Sequence, residues 1–226
     1  MKVFQSIENY RSSECKAVIT IGTLDGVHIG HQKIIEQLNA LKADKSEVSM
    51  ILTFFPPPRR VLDQSNDIKM LTTMEEKVEL LENFGLDQLI VEPFTQEFSR
   101  LTALEFVRDI LVNRLSLKKL VIGYDHHFGR NREGNFEQLT EFGELYGFEV
   151  IEIPAQTIES VSVSSTKIRK AIEAGDMDSA NSYLGYPYRL TGEIVKGQGL
   201  GRKLNFPTVN LRVEEDYKLV PMKGVY

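Results

Sequence analysis

The sequence contains very little cysteine and no long hydrophobic run. Cys15 is the single cysteine among 226 residues, so an internal disulfide is excluded and we expect the reducing environment of the cytoplasm. No stretch reaches the roughly 18 consecutive apolar residues that a membrane helix requires, and the N-terminal residues lack the apolar centre of a signal peptide. Acidic residues outnumber basic ones, 32 against 27, and the net charge of -5 disfavours nucleic acid. These absences predict a cytoplasmic globular protein without a membrane or nucleic-acid partner.

Short apolar runs recur along the chain, and each is followed by a pattern typical of a helix. Thr73 with Glu76, and Thr102 with Glu105, have the spacing of capping boxes, which begin helices. Parallel strands joined by helices form a sheet that is covered on both faces. We therefore predict an α/β, Rossmann-like fold with a parallel five-stranded sheet. The predicted strands are 17–21, 48–54, 89–91, 120–122 and 150–153.

The character of the sequence changes after Gly185. Before it, two helices are predicted at 164–174 and 176–184, and a glycine follows each of them as a C-terminal cap. After it, β-branched residues and glycine turns occur without a helical period. We therefore predict one domain at 1–185 and β structure at 186–226. A segment of about forty residues cannot bury a core alone, so this part belongs to a longer domain or packs on the first one.

The stretch GTLDGVHIGHQKI, from Gly22 to Ile34, carries two histidines three residues apart. It follows the first of the predicted strands, and its helix begins near His28, where free amide groups and the helix dipole attract phosphate. His28 and His31 would face one side of this helix, and Gly30 would leave room for a phosphate group. The pattern favours stabilisation of charge on a phosphoryl group. A zinc site is less favoured because no third ligand is evident, and two incidental polar groups beside a turn remain the alternative.

A second polar segment, SSTKIR at 164–169, begins a later helix. Ser164, Ser165 and Thr166 offer hydroxyl and amide groups, and Arg169 offers positive charge. This composition suits the outer phosphates of ATP. Taken alone, the segment more often marks an ordinary helix cap.

The H-I-G-H string resembles the signature of the nucleotidylyltransferase superfamily, and the longer string at 22–31 resembles that of the bacterial bifunctional riboflavin kinase/FMN adenylyltransferases. Four further strings occur in the order of that family: TFFPPPRRVL at 53–62, GYDHHFGRNREG at 123–134, SSTKIR at 164–169 and GRKLNFPTVNL at 201–211. Each string alone is a weak signal, but together they extend over the whole chain. The resemblance implies a nucleotidylyltransferase domain at 1–185 that is followed by the start of a small riboflavin kinase β-barrel.

The resemblance also implies an activity, the transfer of AMP from MgATP to FMN, which yields FAD and pyrophosphate. His28 and His31 would form the catalytic pair that holds the α-phosphate. Magnesium would enter with ATP, and no structural metal is expected in the first domain. The other implied site residues are Gly22, Thr23, Asp25, Gly30, Ser164, Ser165, Thr166 and Arg169 for ATP, Phe54, Asp125 and Phe128 for the flavin, and Thr208 and Asn210 for magnesium and nucleotide in the kinase part.

Phosphorylation of riboflavin to FMN is expected only of a longer chain. The family's kinase module extends past Tyr226, and its catalytic glutamate lies in that extension. Two alternatives for the first domain stay open. One is another small-molecule nucleotidylyltransferase, which a panel of substrates would reveal. The other is a non-catalytic flavin- or nucleotide-binding protein, which would bind ATP or FMN without releasing pyrophosphate.

Overall fold

The centre of the fold is a parallel β-sheet, which we describe from a computed structural model of residues 1–11, 15–63, 68–123, 128–130, 133–153, 163–197, 200–203, 205–206 and 208–224. Its strands are β1 (Lys2–Phe4), β2 (Lys16–Ile21), β3 (Glu47–Phe54), β4 (Gln88–Glu92), β5 (Leu117–Gly123) and β6 (Glu149–Ile153). They lie in the order β1-β4-β3-β2-β5-β6, and every neighbouring pair is parallel. The α/β class is therefore confirmed.

The predicted number of five strands is wrong by one. β1 pairs with β4 at the edge of the sheet, with Lys2 opposite Gln88 and Phe4 opposite Ile90. β1 has only three residues, too few for a pattern of apolar residues to distinguish it from a loop. The other five strands lie where they were predicted, and each is longer than its predicted run by at most three residues at either end.

Two helices begin at the predicted capping boxes, whereas the short helices at Pro58–Leu62 and Leu200–Lys203 were not predicted. Thr73 accepts a hydrogen bond from the Glu76 amide at 3.1 Å and its own amide donates to the Glu76 carboxylate at 2.9 Å, which completes a capping box. Thr102 and Glu105 form the second box, and that helix continues as a π-helix at Phe106–Val112. The helices are α1 (Ile29–Ala40), α2 (Pro58–Leu62), α3 (Met74–Asn83), α4 (Ala103–Glu105), α5 (Phe136–Tyr146), α6 (Ser165–Glu173), α7 (Met177–Leu184) and α8 (Leu200–Lys203), with a 3-10 turn at Phe98–Arg100.

Each face of the sheet has its own hydrophobic core, because successive strand residues point to opposite faces. Val18 of β2 lies in one core with Ile35 of α1, whereas the adjacent Ile19 lies in the other core with Phe106 of the π-helix and Leu139 of α5. The central strands are thus buried on both faces. This is the physical reason why they occur in the sequence as continuous apolar runs.

Part of the segment after Gly185 packs against the part of the chain that precedes it. The described residues of this segment contain a two-stranded antiparallel sheet of β7 (Glu193–Val195) and β8 (Asn210–Arg212), and also the short helix α8. The prediction of β structure alone is therefore wrong at Leu200–Lys203, where four residues are too few to show a helical period. Leu219 is 5% exposed and lies in a core with Leu71 and Leu184. By contrast, Ile194 of β7 is 73% exposed. Packing on the first part, one of the two alternatives that the sequence left open, is therefore present, and it buries residues near 219 rather than the β7–β8 pair.

Candidate active site

The histidine motif follows a loop at the centre of the sheet. We call residues Gly22–His28, which connect β2 to α1, the histidine loop. Along the chain, β3 and β4 are added on one side of β2, and β5 and β6 on the other. In open parallel sheets, ligands bind beside the carboxyl ends of the strands at the point where the strand order reverses. The fold therefore places the histidine loop at the preferred position for a ligand.

The backbone of the histidine loop is strained. Leu24, Gly26 and Val27 have φ angles of 44°, 80° and 35°, in the left-handed region that residues with side chains rarely adopt. A Cβ atom on Gly26 would lie 2.7 Å from the Leu71 side chain, so glycine is required there for space as well as for conformation. Each strained non-glycine residue costs about 1–3 kcal/mol, and such strain persists only where the surrounding structure fixes the backbone. Strained backbone residues cluster at functional sites, which agrees with a functional role for the histidine loop.

Two side chains from distant parts of the chain fix carbonyl groups of the histidine loop. The Nζ atom of Lys77, in α3, donates to the Thr23 carbonyl at 2.8 Å. The Tyr186 hydroxyl donates to the Gly26 carbonyl at 2.5 Å. Because Lys77 is 1% exposed, water does not compete for its bond. These contacts explain how the strained conformation is maintained.

Asp25 joins the histidine loop to two other segments. Its carboxylate accepts hydrogen bonds from the Leu71 amide at 2.9 and 3.1 Å and from the Thr72 amide at 3.3 Å. It also forms an ion pair with Arg169 of α6 at 2.5 Å. The Ser165 hydroxyl donates to the Asp25 carbonyl at 3.1 Å, across 140 residues of sequence. Two of the motifs found in the sequence therefore meet at Asp25, which is 4% exposed.

The two histidine rings stack on each other. Their centroids are 3.7 Å apart and their planes are inclined by 20°. The Nδ1 atom of each ring is buried and has no hydrogen-bond partner among the residues that the structure describes. A Cβ atom on Gly30 would lie 3.3 Å from the His28 ring, so this glycine makes room for the imidazole. Buried nitrogens without a partner are uncommon in folded proteins and call for a functional explanation.

Burial keeps both imidazoles neutral near pH 7. It lowers the pKa of His28 to about 4. It also lowers the pKa of His31 well below its ordinary value, and the charges of His28 and Lys77 act in the same direction. A neutral imidazole has one N–H donor and one acceptor nitrogen. The pair can therefore donate hydrogen bonds to phosphate oxygens, and a bound anion would raise both pKa values.

The residues predicted to bind ATP lie around the N-termini of α1 and α6. Gly22 and Thr23 begin the histidine loop, and Ser164 is the N-cap of α6, whose hydroxyl accepts the amide three residues later at 3.3 Å. Ser164 and Thr166 are exposed. The two segments are thus brought together, as binding of a single nucleotide requires. Contact with ATP stays a prediction for each residue.

Two of the residues predicted to bind the flavin belong to one aromatic cluster. The Phe54 and Phe98 rings are 5.3 Å apart, and Phe106 lies 6.1 Å from both Phe98 and Phe128. Phe54 is 9% exposed and Phe128 8%, so each ring has little free surface. Asp125 lies outside the described residues. Flavin contact stays a prediction for all three positions.

Thr208 and Asn210, predicted for magnesium and nucleotide, lie beside the glycines that precede them. A Cβ atom on Gly201 would be 3.1 Å from the Thr208 hydroxyl, and one on Gly197 would clash with the Asn210 amide. Thr208 and Asn210 are exposed. The glycines are therefore needed for close packing, while metal binding by the two polar residues stays a prediction.

Within the described ranges, no group of three or more His, Cys, Asp and Glu side chains could hold a metal ion. None of the helices in those ranges is long and apolar enough to cross a membrane.

Comparisons with known proteins match two successive parts of the chain. The FAD synthetase family model matches residues 10–167, and the riboflavin kinase model matches 184–226. A Listeria monocytogenes protein named bifunctional riboflavin kinase/FMN adenylyltransferase is 39% identical over 95% of this chain and 68% of its own length. The Escherichia coli K12 protein of that name is 34% identical over all of this chain and 72% of its own length. The chain belongs to this bifunctional riboflavin kinase/FMN adenylyltransferase family.

A solved structure agrees with the fold of this family member. The crystal structure described as a macrolide-efflux protein from Streptococcus pneumoniae matches with a TM-score of 0.87 at 28% identity. The match covers 99% of this chain and 72% of the other. The likeness therefore includes the parallel sheet as well as the residues after 185.

Two residues that hold the histidine loop of this family member were not predicted from its sequence. Lys77 lies three and four residues before Leu80 and Leu81, on the buried face of α3. A lysine on the same helix face as two apolar residues indicates a buried lysine, and this signal could have identified Lys77. Tyr186 has no comparable signal, because it follows the last helix of the region in an irregular segment.

Replacing Lys77 by methionine tests the burial of its charge. Burial lowers the pKa of Lys77 from 10.5 to about 8, although Asp25 opposes the shift. Between these values the unfolded chain binds more protons than the folded one, so the lysine makes stability rise with pH. We expect the free energy of unfolding of the wild type, minus that of Lys77→Met, to increase between pH 8 and 10, with a slope approaching about 1.4 kcal/mol per pH unit. Urea unfolding at several pH values measures this difference, and a constant difference would contradict the shift.

Proposed function

We propose that this chain transfers AMP from MgATP to FMN and thereby forms FAD and pyrophosphate. The proposal rests on the stacked, buried imidazoles of His28 and His31, whose Nδ1 atoms lack partners among the described residues. They lie where the strand order of the sheet reverses, and α6 is docked on the same loop through Asp25 and Arg169. The names of the relatives, which specify an FMN adenylyltransferase, support the choice of substrates.

In the proposed reaction, an oxygen of the FMN 5′-phosphate attacks the α-phosphorus of ATP in line. A phosphorus–oxygen bond forms between the two substrates, the bond from the α-phosphorus to the bridging oxygen breaks, and magnesium pyrophosphate leaves. A phosphate monoester dianion is already a nucleophile, so the protein needs no strong general base. Positioning and charge stabilisation supply most of the catalysis.

Different site residues stabilise the charge on different phosphate groups of ATP. His28 and His31 donate hydrogen bonds to the α-phosphate oxygens as negative charge shifts onto them. The hydroxyls of Ser164 and Thr166, together with the amides of Ser165 and Thr166 at the start of α6, receive the departing pyrophosphate. The Ser165 hydroxyl holds this helix start to the histidine loop through the Asp25 carbonyl. Arg169 adds positive charge at the same place while its pair with Asp25 fixes the position of α6. Gly22 and Thr23 shape the ATP side of the histidine loop, and Gly30 follows in the first turn of α1.

We place the flavin at the carboxyl ends of β3 and β5. Phe54 ends β3, and Asp125 follows β5 along the chain. Phe54 and Phe128 would support the flavin ring from within the aromatic cluster, and Asp125 would accept a hydrogen bond from it. The use of ATP as a substrate supports a cytoplasmic location.

We assign residues 1–185 to adenylyl transfer and residues 186–226 to a riboflavin kinase module. The riboflavin kinase match over 184–226 supports the second assignment. Thr208 and Asn210 would bind magnesium and nucleotide phosphates in that module, since Mg²⁺ prefers oxygen ligands.

The test incubates the purified chain with FMN, ATP and Mg²⁺ and follows FAD and pyrophosphate by chromatography. FAD and pyrophosphate are expected in equal amounts. A parallel incubation with riboflavin measures kinase activity separately, and one with CTP tests for another nucleotidylyltransferase. Binding of ATP and FMN without pyrophosphate release would overturn the proposal in favour of a non-catalytic binding protein.

A further inference from the structure

A segment outside the FAD synthetase match is buried close to the histidine loop. Tyr217, Lys218 and Leu219, which we call the anchor segment, are 7%, 3% and 5% exposed. The Met70 amide donates to the Tyr217 carbonyl at 2.6 Å, and the Leu219 amide donates to the Met70 carbonyl at 2.8 Å. The anchor segment lies within the residues that the riboflavin kinase model matches.

Lys218, in the anchor segment, has a buried ammonium group. Its Nζ atom donates to the Glu76 carboxylate and to the Leu71 carbonyl, both at 2.6 Å, and lies 4.4 Å from the centre of the Tyr188 ring. Glu76 also accepts hydrogen bonds from the Thr191 amide at 3.2 Å and the Thr191 hydroxyl at 2.9 Å. A buried ammonium is tolerated only with such partners, and they restrict it to one position.

Leu71 connects Lys218 to the histidine loop through its two peptide groups. Its carbonyl accepts from Lys218, and its amide donates to the Asp25 carboxylate at 2.9 Å. Asp25 in turn forms the ion pair with Arg169 of α6. Movement of Leu71 would therefore disturb both the histidine loop and α6, the helix that begins with the SSTKIR signature.

We propose that Lys218 is a positioning residue for the nucleotide site: by holding Leu71 it fixes Asp25, and through Asp25 it fixes the histidine loop. The inference rests on the proposed function of that loop. It extends that function, because it makes a residue of the kinase-matching part necessary for tight binding of ATP in the other part. If Leu71 were free to move, Asp25 would hold the strained residues Leu24 and Val27 less firmly, although Lys77 and Tyr186 would still bind the loop.

The main test is Lys218→Met in the full chain, with MgATP binding measured by calorimetry and FAD synthesis measured at varied ATP and FMN. We expect the Kd and KM for MgATP to rise about tenfold and the KM for FMN to stay unchanged. A general loss of folded protein would lower the apparent kcat and leave both KM values as they are. An unchanged Kd for MgATP in the folded variant would overturn the proposal.

The matched control is Arg189→Met. Arg189 also extends from the kinase-matching part to α3, but its pair with Glu79, at 3.1 Å, is exposed on both sides. We expect wild-type affinity for MgATP, and a tenfold loss in this control would contradict a specific role for Lys218.

A double variant, Lys218→Met with Glu76→Gln, separates positioning from charge burial. It removes the buried negative charge that Lys218→Met leaves without its cation, although the new side-chain amide has one acceptor oxygen for the contacts with Thr73 and Thr191. Stability against urea should therefore recover in part, while the raised Kd for MgATP persists. Recovery of both the stability and the affinity for MgATP would assign the raised Kd to the uncompensated carboxylate and overturn the proposal.

If Lys218→Met does not fold, the double variant and Tyr188→Phe decide the question. Tyr188→Phe removes the hydrogen bond of 2.6 Å to the Leu219 carbonyl, and a raised Kd is expected.

Failure of the proposed reaction is distinguishable from failure of this inference. A wild-type chain that binds MgATP but forms no FAD would refute the reaction, and the dissociation constants of the variants would still decide the role of Lys218. Wild-type FAD synthesis with unaltered ATP binding in the variants would refute the inference alone.

Discussion

Replacing His31 by alanine is expected to lower the turnover of FMN adenylylation by about 10² to 10³, and His28→Ala should have an effect of the same size. The reason is the loss of a donor aimed at the α-phosphate, where negative charge increases in the transition state. Both rings are buried and neutral near pH 7, so the loss is of a hydrogen bond rather than of a full positive charge. Steady-state FAD synthesis at saturating ATP and FMN measures the effect.

Glutamine at either position is the matched variant for the alanine replacements. It keeps an amide donor of similar reach, so turnover between that of alanine and wild type is expected. Fold and FMN affinity should change little, which urea unfolding and FMN titration would check. Near-normal turnover of either alanine variant would show that its imidazole does not stabilise the transition state.

Replacing Asp25 by alanine is expected to lower the free energy of unfolding by about 3–5 kcal/mol, the cost of removing one partner from a buried ion pair. Arg169, whose side chain is 16% exposed, would lose its carboxylate partner. The Leu71 and Thr72 amides would lose their acceptor as well. FAD synthesis should fall with the stability, because the histidine loop loses its connection to α6. Urea unfolding at pH 7 measures the change.

Asp109→Ala provides the control for Asp25→Ala. Asp109 also pairs with an arginine, Arg108 at 2.7 Å, but both side chains are almost half exposed. Exposed ion pairs contribute little, so the free energy of unfolding should be nearly unchanged. An equal decrease in the free energy of unfolding in the two variants would show that burial does not determine how much the Asp25–Arg169 pair contributes to stability.

Local features of this fold were predictable from the sequence. Both capping boxes are formed by residues three apart, and the central strands are apolar because each is covered on two faces. The edge strand β1 was missed since three residues carry no periodic signal. The position of the histidine motif between a strand and a helix was also predictable, because it depends only on neighbouring residues.

The connections of the site were much less predictable. Ser165 and Arg169 were recognised as polar groups at a helix start, but their contacts with Asp25 link residues about 140 positions apart. Lys77 and Lys218 were not recognised. The spacing of Lys77 before Leu80 and Leu81 indicates a buried position, but nothing in the sequence indicates which groups either lysine contacts. Their partners are a carbonyl of the histidine loop, a carboxylate of α3 and the Leu71 carbonyl.

The sequence by itself determined the order of five of the six strands and of the longer helices between them, the capped starts of two helices, and the family to which the chain is similar. These properties depend on the spacing of residues that are near one another along the chain, and on motifs that retain their order. Only the tertiary structure decided that Asp25 is the common partner of two motifs, that the imidazoles stack with buried nitrogens, and that residues 217–219 lie beside the histidine loop. Those contacts join side chains that folding brings together and removes from water. They cannot be predicted from the spacing of residues along the sequence.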